Sequence, residues 1–238
     1  MSAMHEEFVR QGNWLFKNRS LLPLLVLIVC YGYYVFNIYV EDPFYQTISN
    51  YCPSYKYGCL LISLVGVAIR VYTIGYAPAG TSGRNTAKQI ADELNTTGIY
   101  SIIRHPLYFG NYLMSLGIVL LPRSITLTVI FTLIFWLYYE RIMYAEEDFL
   151  RHKFGQDFLN WSARVPTFLP RRITGRATSL PFSWKKVLRQ EKNGVWALFL
   201  IYFFFDMTES FINRSFQVDR VLLTCAIVST LAYIVLKI

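Results

Sequence analysis

Arg104, His105 and Pro106 stand together where one apolar stretch of the chain gives way to another. Proline is favoured in the first turn of a helix, and the residue before a proline is pushed into an extended conformation. Arg104 and His105 are therefore predicted to lie just off a helix N-terminus, whose free amides and positive dipole attract anions. Tyr108 and Asn111 would lie in the first turns of that helix and line the same anion site. The alternative is that the two basic side chains only reach out to a membrane interface.

Three acidic residues follow one another further along the chain, at Glu146, Glu147 and Asp148. Ordinary helix-surface pairs account for two of them, because Glu147 can pair with Arg151 and Asp148 with His152. Glu146 has no basic residue four positions away on either side. A carboxylate at Glu146 suits ribose hydroxyls or an ammonium group, so this residue is a second candidate for binding.

Apolar helices must position these residues. Apolar residue types make up 54% of the chain and charged types only 16%, a composition typical of a polytopic membrane protein. The sequence predicts an all-α fold, a membrane helix bundle of about six transmembrane helices with a cytoplasmic cap that binds the ligand. The fifth apolar run is short and is ambiguous between a spanning and a re-entrant helix. The six runs are Leu21–Val40, Cys59–Ala77, Pro106–Leu121, Ser124–Tyr139, Val195–Phe205 and Val221–Leu236.

Polar sequence between the runs predicts three further helical features. Helical periodicity after the fourth run continues to about Phe154, where Gly155 is a natural stop, so this helix should project beyond the membrane by several turns. Asn85 is a good N-cap for a short interfacial helix that ends near Leu94. The mixture of apolar and basic residues that begins at Trp184 favours an amphipathic helix on the anionic inner leaflet.

The distribution of Lys and Arg predicts the orientation of the bundle. Basic residues are numerous before the first run and after the second and fourth, whereas the opposite side holds only Lys56, Arg123, Arg214 and Arg220. By the positive-inside rule, both termini and the two large polar segments are cytoplasmic. The formal charge of +8 therefore reports topology, and no nucleic-acid partner is expected because no binding motif accompanies the charges. The first apolar run is expected to remain as an anchor, since the polar sequence before it is unlike a cleaved signal peptide.

The four cysteines do not indicate a metal site. Cys30 and Cys225 lie within apolar runs, where a thiol behaves as a small apolar side chain. Cys52 and Cys59 fall in the first external loop and could form a disulfide if that side is oxidising; the sequence leaves both states open. The histidines near polar sequence lie on the other side of the membrane from this pair, so no zinc ligand set is expected.

Two segments and the apolar hairpin between them carry a family resemblance. "LNTTGIYSIIRHPLYFGNYL" and "AEEDFLRHKFGQDFLNWSARVPTFLP" together resemble the isoprenylcysteine carboxyl methyltransferase family of integral-membrane enzymes. The resemblance covers roughly Glu93–Pro170 and consists of several motifs in a fixed order and at fixed spacing. It implies a methyltransferase whose S-adenosyl-L-methionine cofactor binds at the cytoplasmic end of the helices, without a Rossmann domain. In agreement, the sequence has no G-x-G-x-x-G motif after a strand.

The resemblance also implies which residues bind the cofactor. His105 and the helix N-terminus would hold the methionine carboxylate, and Glu146 would take the ribose hydroxyls or the amino group. Tyr100 and Leu94 would flank the adenine. The matching positions are Glu93, Leu94, Asn95, Tyr100, His105, Pro106, Leu107, Tyr108 and Glu146.

One departure from the family pattern concerns the methyl acceptor. Eukaryotic protein methyltransferases of this family carry an arginine four residues before the glutamate, facing the acceptor carboxylate, and Ile142 stands there in this chain. Arg141 is adjacent but is rotated by about 100° on a helix. Arg104 and Arg141 are therefore the two candidates for orienting the acceptor. The implied acceptor is a lipid-borne anion, either a prenylcysteine carboxylate or a lipid phosphate, since bacterial members of the family act on lipids.

The predicted organisation has three parts: N-terminal transmembrane helices (1–76), a methyltransferase core (77–170), and a basic linker with a C-terminal transmembrane pair (171–238). The expected setting is a bacterial inner membrane, with a cytoplasmic active site, a membrane lipid or lipidated acceptor as partner, and no obligate protein partner.

Four other readings are open. The enzymatic alternative is N-methylation of an aminolipid, and another is a non-catalytic membrane protein of the same fold. A nicotinamide-dependent relative of the sterol reductases is more remote. A transporter is disfavoured because only Arg70 lies deep in an apolar run. Arg70 is expected either in a buried polar contact or close enough to one end to reach the interface.

Overall fold

The computed structural model describes residues 3–52, 54–78, 89, 91–170, 175–178 and 180–237. Within these ranges every regular element is helical, and the prediction of an all-α membrane helix bundle is confirmed. The α-helices are α1 (Met4–Lys17), α2 (Leu21–Tyr39), α3 (Pro43–Tyr51), α4 (Tyr55–Tyr76), α5 (Pro106–Leu120), α6 (Ile125–Phe154), α7 (Gln156–Ser162), α8 (Trp184–Ile212) and α9 (Arg220–Val235). A 3₁₀ turn, Gly98–Ser101, lies between α4 and α5.

Each of the six predicted apolar runs falls on one of these helices. Helices α2, α4, α6 and α8 are long and apolar enough to cross a membrane, whereas α5 and α9 are shorter apolar helices of 15 and 16 residues. The ambiguous fifth run is part of α8, which has 29 residues. The segment from Trp184 is helical, as predicted, but it is continuous with the fifth apolar run and forms the first turns of α8. Its polar residues are good helix formers, and one of them, Glu191, is buried against α4.

Helix α6 extends beyond its apolar run, as predicted. It has 30 residues, or about 45 Å at 1.5 Å per residue, against roughly 30 Å for the hydrocarbon core of a bilayer. Gly155 ends it with φ +53°, a conformation that glycine adopts without strain, and its N–H donates to the Arg151 carbonyl over 2.9 Å. The predicted C-terminus at Phe154 is therefore confirmed. The last turns of α6 form one wall of the candidate site.

Helices α4 and α5 pack with their backbones in close approach. A Cβ atom added to Gly66 would lie 2.6 Å from the Gly110 carbonyl oxygen, and one on Gly117 would collide with the Ser63 hydroxyl. Small residues permit such close approach of helices in membranes. This contact fixes where α5 lies on α4, and hence where the N-terminus of α5 emerges toward the cap.

A buried ion pair joins α8 to these two helices. The Arg70 guanidinium donates to both carboxylate oxygens of Glu191, over 2.9 Å from Nε and 2.5 Å from Nη2, and also to the Asn111 side chain on α5. The Glu191 side chain is only 4% exposed. Arg70 thus lies in a buried polar contact, the first of the two placements expected for it.

At the opposite end of the bundle, two of the sparse basic residues, Lys56 and Arg123, also have partners. Lys56 on α4 lies 2.6 Å from both Asp206 on α8 and Asp219 at the start of α9. Arg123 lies 4.0 Å above the Tyr45 ring. These contacts join the helix ends on that side. Nearby, Cys52 is an exposed free thiol and Cys59 a buried one.

We expect Glu191→Ala to lower the free energy of unfolding by about 3 kcal/mol, because it leaves the largely buried Arg70 charge without its carboxylate partner. Arg189→Ala is the matched control, since Arg189 is exposed on the same helix and its loss should change stability by less than about 0.5 kcal/mol. Chemical unfolding of both variants in detergent micelles measures the difference. Equal stabilities would contradict a stabilising role for the pair.

The exposed Cys52 provides a test of orientation. If both termini are cytoplasmic, a membrane-impermeant maleimide added to intact cells should label Cys52. The variant Cys52→Ser should lose this labelling, because Cys30 and Cys59 are buried and Cys225 lies within the apolar helix α9. Labelling that requires inverted vesicles would show that the bundle has the opposite orientation.

Candidate functional site

Helix α5 begins at Pro106, as predicted, but the backbone of His105 is not in the fully extended conformation that was expected. His105 is the N-cap residue, with φ −122° and ψ 62°, and Pro106 occupies the first helical turn. The Phe109 N–H donates to the His105 carbonyl over 3.2 Å, which closes the first turn of α5. The N–H groups of Leu107 and Tyr108 precede this bond and point out of the helix N-terminus, where an anion is favoured.

The stretch after α7 holds the residues before α5 in place. The N–H groups of Arg104 and His105 donate to the carbonyls of Pro166 and Thr167, over 2.9 Å and 3.2 Å. Phe168, the next residue, packs edge-on against Phe109 of α5 with a centroid distance of 5.6 Å. The "RVPTFLP" motif thus works as a clamp on the N-terminus of α5.

The 3₁₀ turn closes the same cap from another side. The Trp161 indole N–H of α7 donates to the Tyr100 carbonyl over 3.0 Å. Gly98, at φ +58°, donates its N–H to the Arg176 carbonyl over 2.9 Å. Burial raises the pKa of the Tyr100 hydroxyl, and the charge of Glu146 adds to the effect. Tyr100 is therefore a neutral side chain within electrostatic reach of Glu146.

Five side chains meet where α5 begins and α6 leaves the bundle: Arg104, His105, Tyr108, Glu146 and Glu147, which we name the His105 cluster. His105 Nε2 lies 2.9 Å from Glu147 Oε1 and Nδ1 lies 3.5 Å from Glu146 Oε2. The Tyr108 hydroxyl donates to Glu146 Oε1 over 2.5 Å. Arg104 Nη1 donates to Glu147 Oε2 over 2.6 Å, and its Nη2 donates to the Thr167 hydroxyl.

The cluster favours a protonated imidazole. Burial of His105 opposes its protonation, but hydrogen bonds and charges from Glu146 and Glu147 outweigh burial, so the pKa of His105 is raised above its ordinary value. Both ring nitrogens face carboxylate oxygens, and only the imidazolium can donate from both. The charges of Arg104 and His105 then balance those of the two glutamates.

The partner predicted for Glu147 is wrong. Glu147 was expected to pair with Arg151 on the helix surface, but it turns toward α5 and contacts Arg104 and His105. Two basic groups at the N-terminus of a neighbouring helix offer a charge-assisted contact that is stronger than an exposed pair on one helix. The other surface pair is present, with Asp148 3.5 Å from His152 Nδ1.

The two candidate arginines have different surroundings. Arg104 is part of the His105 cluster and its Nε is buried without a hydrogen-bond partner. Arg141 points the other way, with its guanidinium 3.5 Å above the centre of the Phe8 ring of α1. Ile142 is completely buried in the core. The structure therefore brings Arg104 to the cluster and holds Arg141 against α1.

The loop residues expected to bind the cofactor lie on the segment that leads into the 3₁₀ turn. Glu93 is exposed and Leu94 half-buried, and the Asn95 side-chain oxygen accepts from the Thr97 N–H over 3.4 Å. The helix predicted from Asn85 lies mostly outside the described residues, and its described end, 91–94, is not helical.

Two residues near the cluster, Tyr139 and Arg19, were not predicted as part of the site. Tyr139 of α6 packs on Tyr108 at a centroid distance of 4.8 Å. Further along α5, Asn111 accepts a hydrogen bond from Arg70 of the Arg70–Glu191 ion pair. Arg19, between α1 and α2, is within electrostatic reach of both tyrosines. In the sequence, the basic charge of Arg19 was interpreted only as evidence for the orientation of the bundle in the membrane.

The arrangement suits a ligand that carries both signs of charge. Arg104, His105 and the α5 N-terminus can bind a carboxylate, and Glu146 can bind an ammonium group or hydroxyls. The described ranges contain no group of three His, Cys, Asp or Glu side chains that could hold a metal ion.

Comparison with known proteins agrees with the mapped resemblance. Residues 54–157 match the family model for phospholipid methyltransferases, a range that contains the whole His105 cluster. The chain is 32% identical over 77 residues to protein-S-isoprenylcysteine O-methyltransferase of Schizosaccharomyces pombe, covering 32% of this chain and 33% of that enzyme. The predicted relationship to the isoprenylcysteine carboxyl methyltransferase family is confirmed.

Two bacterial relatives are named as metal resistance proteins. The nickel-cobalt-cadmium resistance protein NccN of Alcaligenes xylosoxydans xylosoxydans is 33% identical over 120 residues, covering 50% of this chain and 54% of that protein. The cobalt-zinc-cadmium resistance protein CzcN of Cupriavidus metallidurans is 33% identical over 122 residues, with the same coverage. This chain thus spans about half the length of these relatives. No solved structure matches the chain.

The raised pKa of His105 predicts a pH-dependent contribution to stability. The protonated ring gains its contacts only in the folded state, so the stabilisation is complete below the unfolded pKa of about 6.5. It is lost as the pH rises through the higher folded pKa. His105→Gln should therefore destabilise the protein more at pH 6 than at pH 9, as measured by thermal unfolding in detergent. His152→Gln is the control, because that side chain is 74% exposed; an equal pH dependence in both variants would contradict the assignment.

Proposed function

We propose that this chain is an integral-membrane methyltransferase that uses S-adenosyl-L-methionine and methylates a lipid-borne anionic group. The observation that carries the proposal is the His105 cluster. In it, residues from two separate motifs of the family resemblance, His105 with Tyr108 and the distant Glu146, lie within hydrogen-bonding or ion-pairing distance. They do so at the point where the apolar bundle meets its polar cap.

The side chains present fit the proposed cofactor. Its amino-acid part carries a carboxylate and an ammonium group, which Arg104 with His105 and Glu146 complement. Tyr100 adds an aromatic surface on the same side of the cap. When bound, the cofactor supplies a methyl group on a positively charged sulfur, which an anionic oxygen can attack directly.

The work of the protein in this reaction is positioning. Arg104 and His105 would orient the amino-acid part, and the buried Tyr139 and Ile142 beneath them exclude water from the reacting atoms. A carboxylate or phosphate acceptor is ionised at neutral pH, so no general base is required. We propose that Arg104 also orients the acceptor, because a guanidinium has five N–H donors and Arg141 is held against α1. The acceptor's lipid tail would remain among the apolar helices.

N-methylation of an aminolipid is the second candidate. The matching family model is described as phospholipid methyltransferase, and an ammonium acceptor must lose a proton before it can attack. Glu146, with the Tyr108 hydroxyl 2.5 Å away, could accept that proton. Transfer of a labelled methyl group into lipid extracts, followed by separation of phosphate, carboxylate and amine products, distinguishes the two candidates.

Calorimetric titration of S-adenosylhomocysteine into detergent-purified protein tests the cofactor site. We expect binding by the natural protein and a loss of affinity of at least about tenfold in Glu146→Ala and in His105→Ala, because each removes a charged partner of the ligand. Glu140→Ala is the matched control, since Glu140 is exposed on the same helix. Absence of binding by well-folded natural protein would reject the proposal in favour of a non-catalytic membrane protein.

A further inference from the structure

Glu147 occupies the position in which a ligand carboxylate would be bound. One of its oxygens lies 2.9 Å from His105 Nε2 and the other 2.6 Å from Arg104 Nη1. Both basic groups that are proposed to hold an amino-acid carboxylate are therefore already bridged by a carboxylate of the protein. A ligand that uses these two groups must first displace Glu147.

The surroundings of Glu147 allow its side chain to leave the His105 cluster. Its side chain is 23% exposed, whereas that of His105 is only 7% exposed, so the carboxylate lies on the solvent side of the cluster. Arg151 is exposed one helical turn further along α6. A pair between residues four positions apart is favourable on a helix surface. Glu147 can thus exchange its partners in the cluster for Arg151 by rotation of its side chain, with no movement of the helix.

We propose that Glu147 is a displaceable stand-in for the ligand carboxylate. It holds Arg104 and His105 in position before a ligand binds and pairs with Arg151 when a carboxylate-bearing ligand arrives. This inference rests on the proposed function and identifies Glu147 as a positioning residue of the same site. Glu146 has a different role, because it contacts the Tyr108 hydroxyl and the other ring nitrogen of His105 and stays to bind the cationic part of the ligand.

If Glu147 is displaced by the ligand carboxylate, removal of the Glu147 charge should strengthen the binding only of ligands that have a carboxylate. Glu147→Gln should bind S-adenosylhomocysteine at least about tenfold more tightly than the natural protein, because a neutral amide competes weakly for charged donors. The decarboxylated analogue of S-adenosylhomocysteine should bind both proteins equally, since it does not use Arg104 and His105. Glu140→Gln is the control and should leave both affinities unchanged. Weaker binding of S-adenosylhomocysteine by Glu147→Gln, or an equal change for both ligands, would overturn the proposal.

The variant Arg151→Ala tests whether the displaced Glu147 side chain pairs with Arg151, and it leaves the His105 cluster itself unchanged. It should weaken binding of S-adenosylhomocysteine by about twofold, because it removes the surface partner of the displaced carboxylate. An unchanged affinity would show that Glu147 does not move to Arg151.

A measurement without cofactor separates this inference from the proposed function. The chain contains only three histidines, so nitrogen NMR of labelled imidazoles can follow each one. Glu147→Gln should lower the pKa of His105 and leave those of His5 and His152 unchanged; an unchanged His105 overturns the inference by itself. If Glu147→Gln lowers the pKa of His105 but the natural protein binds no S-adenosylhomocysteine, the proposed cofactor function is rejected. Glu147 is then a permanent structural partner of His105, and its displacement by a ligand is also rejected.

Discussion

The contact of one buried histidine with two carboxylates is the interaction on which the cap depends. Glu146 and Glu147 face different ring nitrogens of His105, so the N-terminus of α5 and the projecting end of α6 are joined at one point. A doubly paired imidazolium tolerates little displacement of either helix, because burial makes the loss of a charged partner costly. The clamp of Pro166 and Thr167 on the same backbone therefore supports the charge cluster and is supported by it.

Helix α4 supports the joined ends of α5 and α6 from within the bundle. Close packing of Gly66 against Gly110 sets α5 on α4, and the Arg70–Glu191 ion pair adds α8. Glu191 lies beyond the residues 54–157 that match the family model. The C-terminal helix pair is thus tied into the framework of the site by a buried charge, although the family-matched segment ends before it.

The charges at the two ends of the bundle serve different purposes. At the end away from the cap, Lys56 is fully engaged by Asp206 and Asp219, and these pairs join helix ends. At the cap, the paired charges of the His105 cluster lie where the chain has a helix N-terminus and an aromatic wall as well. The second arrangement is the one in which we propose that a zwitterionic ligand exchanges partners with the protein.

Sequence by itself determined the helices and the chemistry of individual positions. Apolar runs indicated the membrane helices because length and hydropathy are local properties. The Pro106 start of α5 and the Gly155 end of α6 followed from the backbone preferences of proline and glycine. The family resemblance predicted that His105 and Glu146 belong to one site, and the structure brings their side chains within 3.5 Å of each other.

Only the tertiary structure decided which charges meet. Glu147 was assigned to Arg151 because sequence spacing describes neighbours on one helix, whereas its partners, Arg104 and His105, lie about forty residues away on another element. Arg141 and Arg104 were equivalent as sequence but face Phe8 and Glu147 respectively. The polar start of α8 was interpreted as a surface helix because the partner of Glu191, which is Arg70, belongs to α4 and is distant in the sequence. Pairing between distant charges depends on helix rotation and packing, which no local pattern specifies.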